Sequence, residues 1–442
     1  MLVTNKEEMS LNQVGRQLNY VLPASYDSVP TAFRSDKSSK PIPCVLQTVN
    51  VPSMSGNQSA GGSSILQIPC GASAGLMLNP YIRFKVQFTG GANSAQWKFK
   101  GSAHCATSCI NRYSTFVNSV QVDNIQNAWD VYDTLLGHST SANWLERDGK
   151  LMLGADVSFT NAAAPGSAAQ TFCMPLIGLL GSQSALPLYL INGTLQVQID
   201  WQPAVAAMYE NAGTAAGYTG VIFSDVQLVY DKILPETAFV DKVRADMMAG
   251  QKYVLSYTNY QSTSQALGAG AVSPSFNYGL NVSSLNGLIV THRNSTALTE
   301  VTANIANSVN NGMTSLQLSL DGRLISTLAL DSVNAPAVCF AESQKALGRI
   351  FDASLSDPIT VANASANTNL STYNTAWFFA GVSCNRVAEG LAFQGSPASV
   401  VSIQAVYAGA GGDPVPAMTA FYLFISSFQC LIDATGSIEL IR

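Results

Sequence analysis

Residues 173–201 read CMPLIGLLGSQSALPLYLINGTLQVQIDW. The first half of this stretch is apolar and the second half alternates. Leu195, Val197, Ile199 and Trp201 fall on one side, and Thr194, Gln196, Gln198 and Asp200 fall on the other. A period of two marks a strand with one buried face. The apolar half is no membrane span. Pro175, Gly178, Gly181 and Pro187 interrupt it, and Ser182, Gln183 and Ser184 sit in its middle. It falls short of the ~20 unbroken apolar residues that a spanning helix needs. The stretch reads as one wall of a β-structure, with Leu195, Val197, Ile199 and Trp201 in its core.

The same pattern spreads in both directions. YIRFKVQF (81–88) puts Ile82, Phe84, Val86 and Phe88 on one face. FVNSVQVDNI (116–125) follows more loosely, and GVIFSDVQLVYDKI (220–233) closes this half of the chain. Further strands are expected in NTAWFFAGVSC (374–384), SVVSIQAVYAG (399–409) and TAFYLFISSFQCLID (419–433). Helices are few. NAWDVYDTLLG (127–137) should end at Gly137, and PETAFVDKVRADMMAG (235–250) should start at Pro235 and stop at Gly250. The second of these, about 235–249, marks a junction near the midpoint. TSLQLSLDGRLIS (314–326) resembles NSVQVDNIQNAWD (118–130) at an offset of 196 residues, so the second half is expected to repeat the first. Many short antiparallel strands joined by small polar loops point to sandwiches or jelly rolls, not to a parallel α/β sheet.

Composition narrows the function classes. The chain has 442 residues, of which 47% are hydrophobic and 11% charged, against a usual charged share of about 25%. Gly, Ala, Ser, Asn and Thr take up the difference. The net charge is −5 and no basic block occurs, which argues against direct, sequence-specific nucleic-acid binding. MLVTNKEEMSLNQVGRQLNYVL has no apolar core of a secretion signal. Six Asn-x-Ser/Thr sequons, beginning at Asn57, are expected by chance in a chain this rich in those residues. The eight cysteines are scattered, and buried free thiols are the default reading.

No motif reaches the standard of an active site. Gly71-Ala72-Ser73-Ala74-Gly75 fits the spacing of a nucleophile elbow, but a strand follows it where a helix is needed. His104, Cys105 and Cys109 offer soft ligands without the second pair that a structural zinc site requires. A pair of structural thiols, or a disulfide in an exposed loop, is the expectation there. Gly409–Pro414 resembles a phosphate cradle but lies between two strands. No catalytic residue, cofactor site or metal site is assigned.

Residues 1–41 read as an N-terminal arm. Leu11, Val14, Leu18 and Val21 keep helical spacing, and a turn-rich peptide follows.

Taken in order, these stretches resemble a known family. PLIGLLGSQSALPLYLINGTLQVQIDW follows LERDGKLMLGADVSFTNAAAPGSAAQTFCM, an apolar segment with a Gly/Ser/Gln break that runs into an alternating strand. This is similar to the first barrel of the double jelly-roll major capsid proteins of tailless icosahedral viruses. FVNSVQVDNIQNAWDVY resembles a strand and turn of that barrel, ILPETAF sits where the family passes between barrels, and FYLFISSFQCLID resembles the last strand of the second. The resemblance covers roughly residues 42–442. It implies an all-β fold of two tandem eight-stranded jelly-roll barrels, at 42–235 and 236–442. It implies a homotrimer of pseudo-hexagonal outline in the virion shell, assembled inside the host cell. Implied partners are neighbouring capsomers, penton and minor capsid proteins and, in membrane-containing viruses, an internal lipid membrane. Leu11, Val14 and Leu18 of the arm would contact the capsid base or a neighbour. Two other readings stay open: a secreted or surface β-sandwich binding module of the lectin or adhesin kind, and a minor capsid or spike protein. An enzyme on a β-scaffold would need a cluster of acids and bases that the sequence does not supply.

Overall fold

The computed structural model describes residues 44–442 except 91–95, 102–104, 140–143, 156, 161–168, 183–184, 211–217, 295–310, 326–328, 348–377, 386–394 and 409–416. The arm with Leu11, Val14 and Leu18 lies outside the described residues, as do His104, Trp377 and the loop at 409–414.

The first half builds eight principal strands. They are β1 (Cys44–Pro52), β2 (Ser63–Pro69), β3 (Leu76–Thr89), β4 (Ile110–Val117), β5 (Val120–Gln126), β6 (Gln170–Pro175), β7 (Thr194–Trp201) and β8 (Gly220–Pro235). All pairings among them are antiparallel, and they form two sheets, β1-β8-β3-β6 and β2-β7-β4-β5. Strand after strand crosses from one sheet to the other, and only β4 and β5 are hairpin neighbours. This winding is the jelly roll.

Alternation sets which residues fill the barrel. Leu195, Val197, Ile199 and Trp201 of β7 are buried, and so are Ile82, Phe84, Val86 and Phe88 of β3 in the opposite sheet. Trp201 stacks flat on Phe223 of β8, with ring centroids 4.0 Å apart and planes 7° from parallel. It also meets Phe84 at 5.3 Å. Its indole N–H donates to Ser64 Oγ at 2.9 Å, so its one polar atom is satisfied inside the core.

The second half repeats the wind with one fusion. Its strands are β9 (Tyr253–Leu267), β10 (Ser275–Asn294), β11 (Met313–Leu320), β12 (Ala380–Ser383), β13 (Ser396–Tyr407), β14 (Met418–Ile432) and β15 (Ile438–Ile441). The order β9-β14-β10-β12 matches β1-β8-β3-β6, using Leu285–Asn294 of β10. The order β10-β13-β11, ending in the short strand Arg323–Leu324, matches β2-β7-β4-β5, using Ser275–Leu285 of β10. One bent strand thus does the work of β2 and β3 together. Its register shifts between Gly279 and Leu285 mark the corner. In the first barrel that corner is the Cys70–Gly75 turn.

Helices α1 (Ala128–Ser139) and α3 (Pro336–Ala346) each follow the fifth strand of their barrel, and α2 (Thr237–Met248) joins the barrels. Two boundaries differ from expectation. Pro235 ends β8 and does not open α2, because it is held in extended backbone opposite Cys44. Helix α1 runs on past Gly137 to Ser139. The repeat register also changes. By position in the sheet, β11 corresponds to β4 (Ile110–Val117) and not to the β5 segment that the offset of 196 aligns with it. Adjacent hairpin strands share one alternating pattern, so sequence similarity slipped by one strand.

Candidate functional site: the seam between the barrels

Among the described residues, the sequence motifs do not assemble a reaction centre. Gly71–Gly75 is a tight turn between two strands, closed by Ala74 N–H donating to Gly71 O at 2.9 Å. Gly75 has φ +74°, and a Cβ there would stand 2.4 Å from the Ile233 carbonyl oxygen, so the residue type answers to packing. Cys105 and Cys109 bracket a buried single turn, and neither forms a disulfide. Of the two arrangements expected there, the structure has the pair of buried thiols and not the disulfide in an exposed loop. Helix α1 packs over this turn, and burial pushes both thiols well above their ordinary range. Among the described residues, no group of three or more His, Cys, Asp and Glu side chains could hold a metal ion.

Polar side chains do converge where the barrels meet. Helix α1 presents Trp129, Asp130 and Asp133 to the second barrel. Asp130 and Asp133 are three residues apart, so they share a helix face. Arg293 near the end of β10 reaches both, with Nη2 at 2.8 Å from Asp130 Oδ1 and 3.0 Å from Asp133 Oδ2. Its Nε also donates to Asp130 Oδ1 at 3.1 Å. All three side chains are buried. Burial opposes the Arg293 charge, but the two carboxylates outweigh it and hold the guanidinium above its ordinary value. The Arg293 guanidinium carbon lies 5.8 Å from the Trp129 ring centre, and Trp129 meets Phe421 of β14 edge-on at 5.1 Å.

A second set of bonds stitches the seam. Tyr257 of β9 donates its hydroxyl to Val122 O of β5 at 2.9 Å. Asn118 Nδ2 donates to Gly436 O at 2.9 Å, fixing the turn between β14 and β15 to the first barrel. Gly436 has φ +75°, and a Cβ there would fall 2.6 Å from Asn192. Arg244 of α2 donates to Tyr189 O at 3.0 Å.

Asp123 of β5 lies beside this seam. One carboxyl oxygen accepts from Leu179 N–H at 3.0 Å, and the other has no hydrogen-bond partner among the described residues. Burial raises its carboxyl to about 7, with Leu179 and Thr115 pulling the other way. Gly178 leaves room for it, since a Cβ there would sit 2.6 Å from Asp123 Oδ1.

The seam is therefore an internal clamp, built to hold two barrels in one fixed relation. Sequence reasoning missed its parts. The local signal was the pair Asp130 and Asp133 beside Trp129 on a helix, but their cation lies 160 residues away from Asp133 in the chain.

No protein-family model matches the chain, and no curated protein sequence matches it either. Solved structures do. The chain is similar to the capsid protein of the PBCV-1 virus capsid, at 13% identity and TM-score 0.60, over 93% of this chain and 100% of that one. It is similar to the Faustovirus major capsid protein, at 7% identity and TM-score 0.56, over 96% and 97%. It is similar to the mavirus major capsid protein, at 11% identity and TM-score 0.54, over 95% and 94%. At these identities the likeness is one of fold, the double jelly roll, and it spans nearly the whole of each chain.

Proposed function

We propose that this chain is the major capsid protein of a tailless icosahedral virus. The observation that carries the reading is coverage: both barrels and the junction align end to end with structures named as capsids, with almost nothing left over on either side. Its role is structural and not enzymatic. Two barrels per chain and three chains give six barrels, a pseudo-hexagonal block that tiles a flat facet. Residues 42–235 and 236–442 act as its two units. The clamp at Arg293 supports this reading, since tiling needs both barrels to move as one body. Neighbouring capsomers, penton and minor capsid proteins, and an internal membrane where the virus has one, are the partners this role brings.

The test is the mass of the purified chain by light scattering, with negative-stain images of the same peak. Three chains per particle with a hexagonal outline is the expected result. A single-chain mass at all working concentrations overturns the reading and returns attention to a surface binding module.

A further inference from the structure

A groove of about 290 Å³ opens where α2, the first barrel and the β14–β15 turn come together, lined by Tyr189, Ile191, Arg244, Met247, Met248 and Asp433. This volume is at the small end for ligand clefts, and suits a few side chains better than a cofactor. Tyr189, Ile191 and Met247 are buried, while Met248 is 77% exposed at the rim. Methionine adapts its shape to an incoming apolar partner. Nearby, Val45 and Leu46 of β1 are 62% and 67% exposed.

We propose that this groove is the docking site of the chain's own residues 11–21. Three observations carry the assignment. The first is where the described chain begins. Cys44 is paired with Pro235, and Leu46 with Ile233, at the end of β8 that leads into α2. The same end of β8 touches Gly75, whose carbonyl accepts from Tyr189 N–H, so β1 starts beside the groove wall. The second is length. Helix α2 has 12 residues, about 18 Å. The 22 residues between Val21 and Cys44 reach about 70 Å when extended, well beyond the length of α2. The third is chemistry. Leu11, Val14, Leu18 and Val21 keep the helical spacing of one apolar stripe in the sequence, and the groove offers an apolar floor of Tyr189, Ile191 and Met247. The inference does not depend on the capsid reading.

The test uses the full chain carrying Cys44→Ser, Val14→Cys and Met248→Cys, oxidised gently with oxidised glutathione and run on a denaturing, non-reducing gel. The expected result is a disulfide-linked peptide pair joining positions 14 and 248 within a species of one chain. Amide exchange gives the second measurement. Backbone amides at 245–250 and 433–437 should exchange about tenfold faster in Leu11→Asp/Leu18→Asp than in the wild-type chain. A crosslink that joins two chains overturns the proposal in favour of a neighbour's arm. Equal exchange in both proteins overturns it outright.

Discussion

Arg293 and Asp130 meet across the barrel seam at 2.8 Å, 163 residues apart in sequence and both shut away from solvent. Because the pair is buried, its value lies less in net stability than in the penalty for breaking it. Removing one partner strands the other charges. Arg293→Met should therefore cost roughly 3–5 kcal/mol in chemical denaturation. Replacing Arg293, Asp130 and Asp133 together by apolar residues of similar volume should recover most of that loss. A single mutant as stable as wild type would show that the clamp carries no load.

Asp123 gives a pH dependence of defined sign. Its folded carboxyl titrates at about 7, above the ordinary carboxylate value near 3.9. The folded state binds the proton more tightly, so the contribution is full below about pH 4 and fades as pH rises through 7. The slope is about 1.4 kcal/mol per pH unit within that window at most. Asp123→Asn keeps an oxygen for Leu179 N–H and removes the titration. The difference in stability between the wild-type and Asn chains should shift steadily toward the Asn chain from pH 4 to 7. A flat difference rules the effect out.

Ile199 is fully buried in the first barrel. Ile199→Ala should cost about 2–5 kcal/mol through the cavity it leaves. Ile199→Asp buries a charge without a partner, and should remove folded protein from the soluble fraction. Near-normal thermal melting of the Asp variant would place this face outside the core.

Thiol labelling separates surface from interior. Cys44 is exposed, whereas Cys105, Cys109, Cys339, Cys384 and Cys430 are buried. Burial pushes the Cys339, Cys384 and Cys430 thiols up to about 12. The thiolate is the reactive form, so Cys44 should label first with a maleimide and these should wait for denaturant. Rapid labelling of Cys105 or Cys109 in the native chain would contradict the buried turn.

Strands were legible wherever one face is wet and the other dry. In β7 the alternation alone identifies Leu195, Val197, Ile199 and Trp201 as a set. Helix α2 was legible from Gly250 and the spacing of Phe239, Val243 and Met247. Pairing was not, because Ser119–Val122 and Ser315–Leu318 look alike whichever strand of a hairpin they occupy. The clamp was illegible for a related reason. Nothing near Arg293 in the sequence distinguishes it from a solvated surface arginine, since its partners arrive only when the barrels dock.

The bent strand β10 joins the sheets of its barrel differently from the first barrel. In the second barrel, Ser275–Asn294 runs from one sheet into the other as a single strand, so both sheets share one continuous ladder element and their relative register is set together. In the first barrel the same path crosses the tight turn at 71–75, held closed by Ala74 N–H on Gly71 O and by the packing of Gly75 on Ile233, so each sheet takes its register from its own strand.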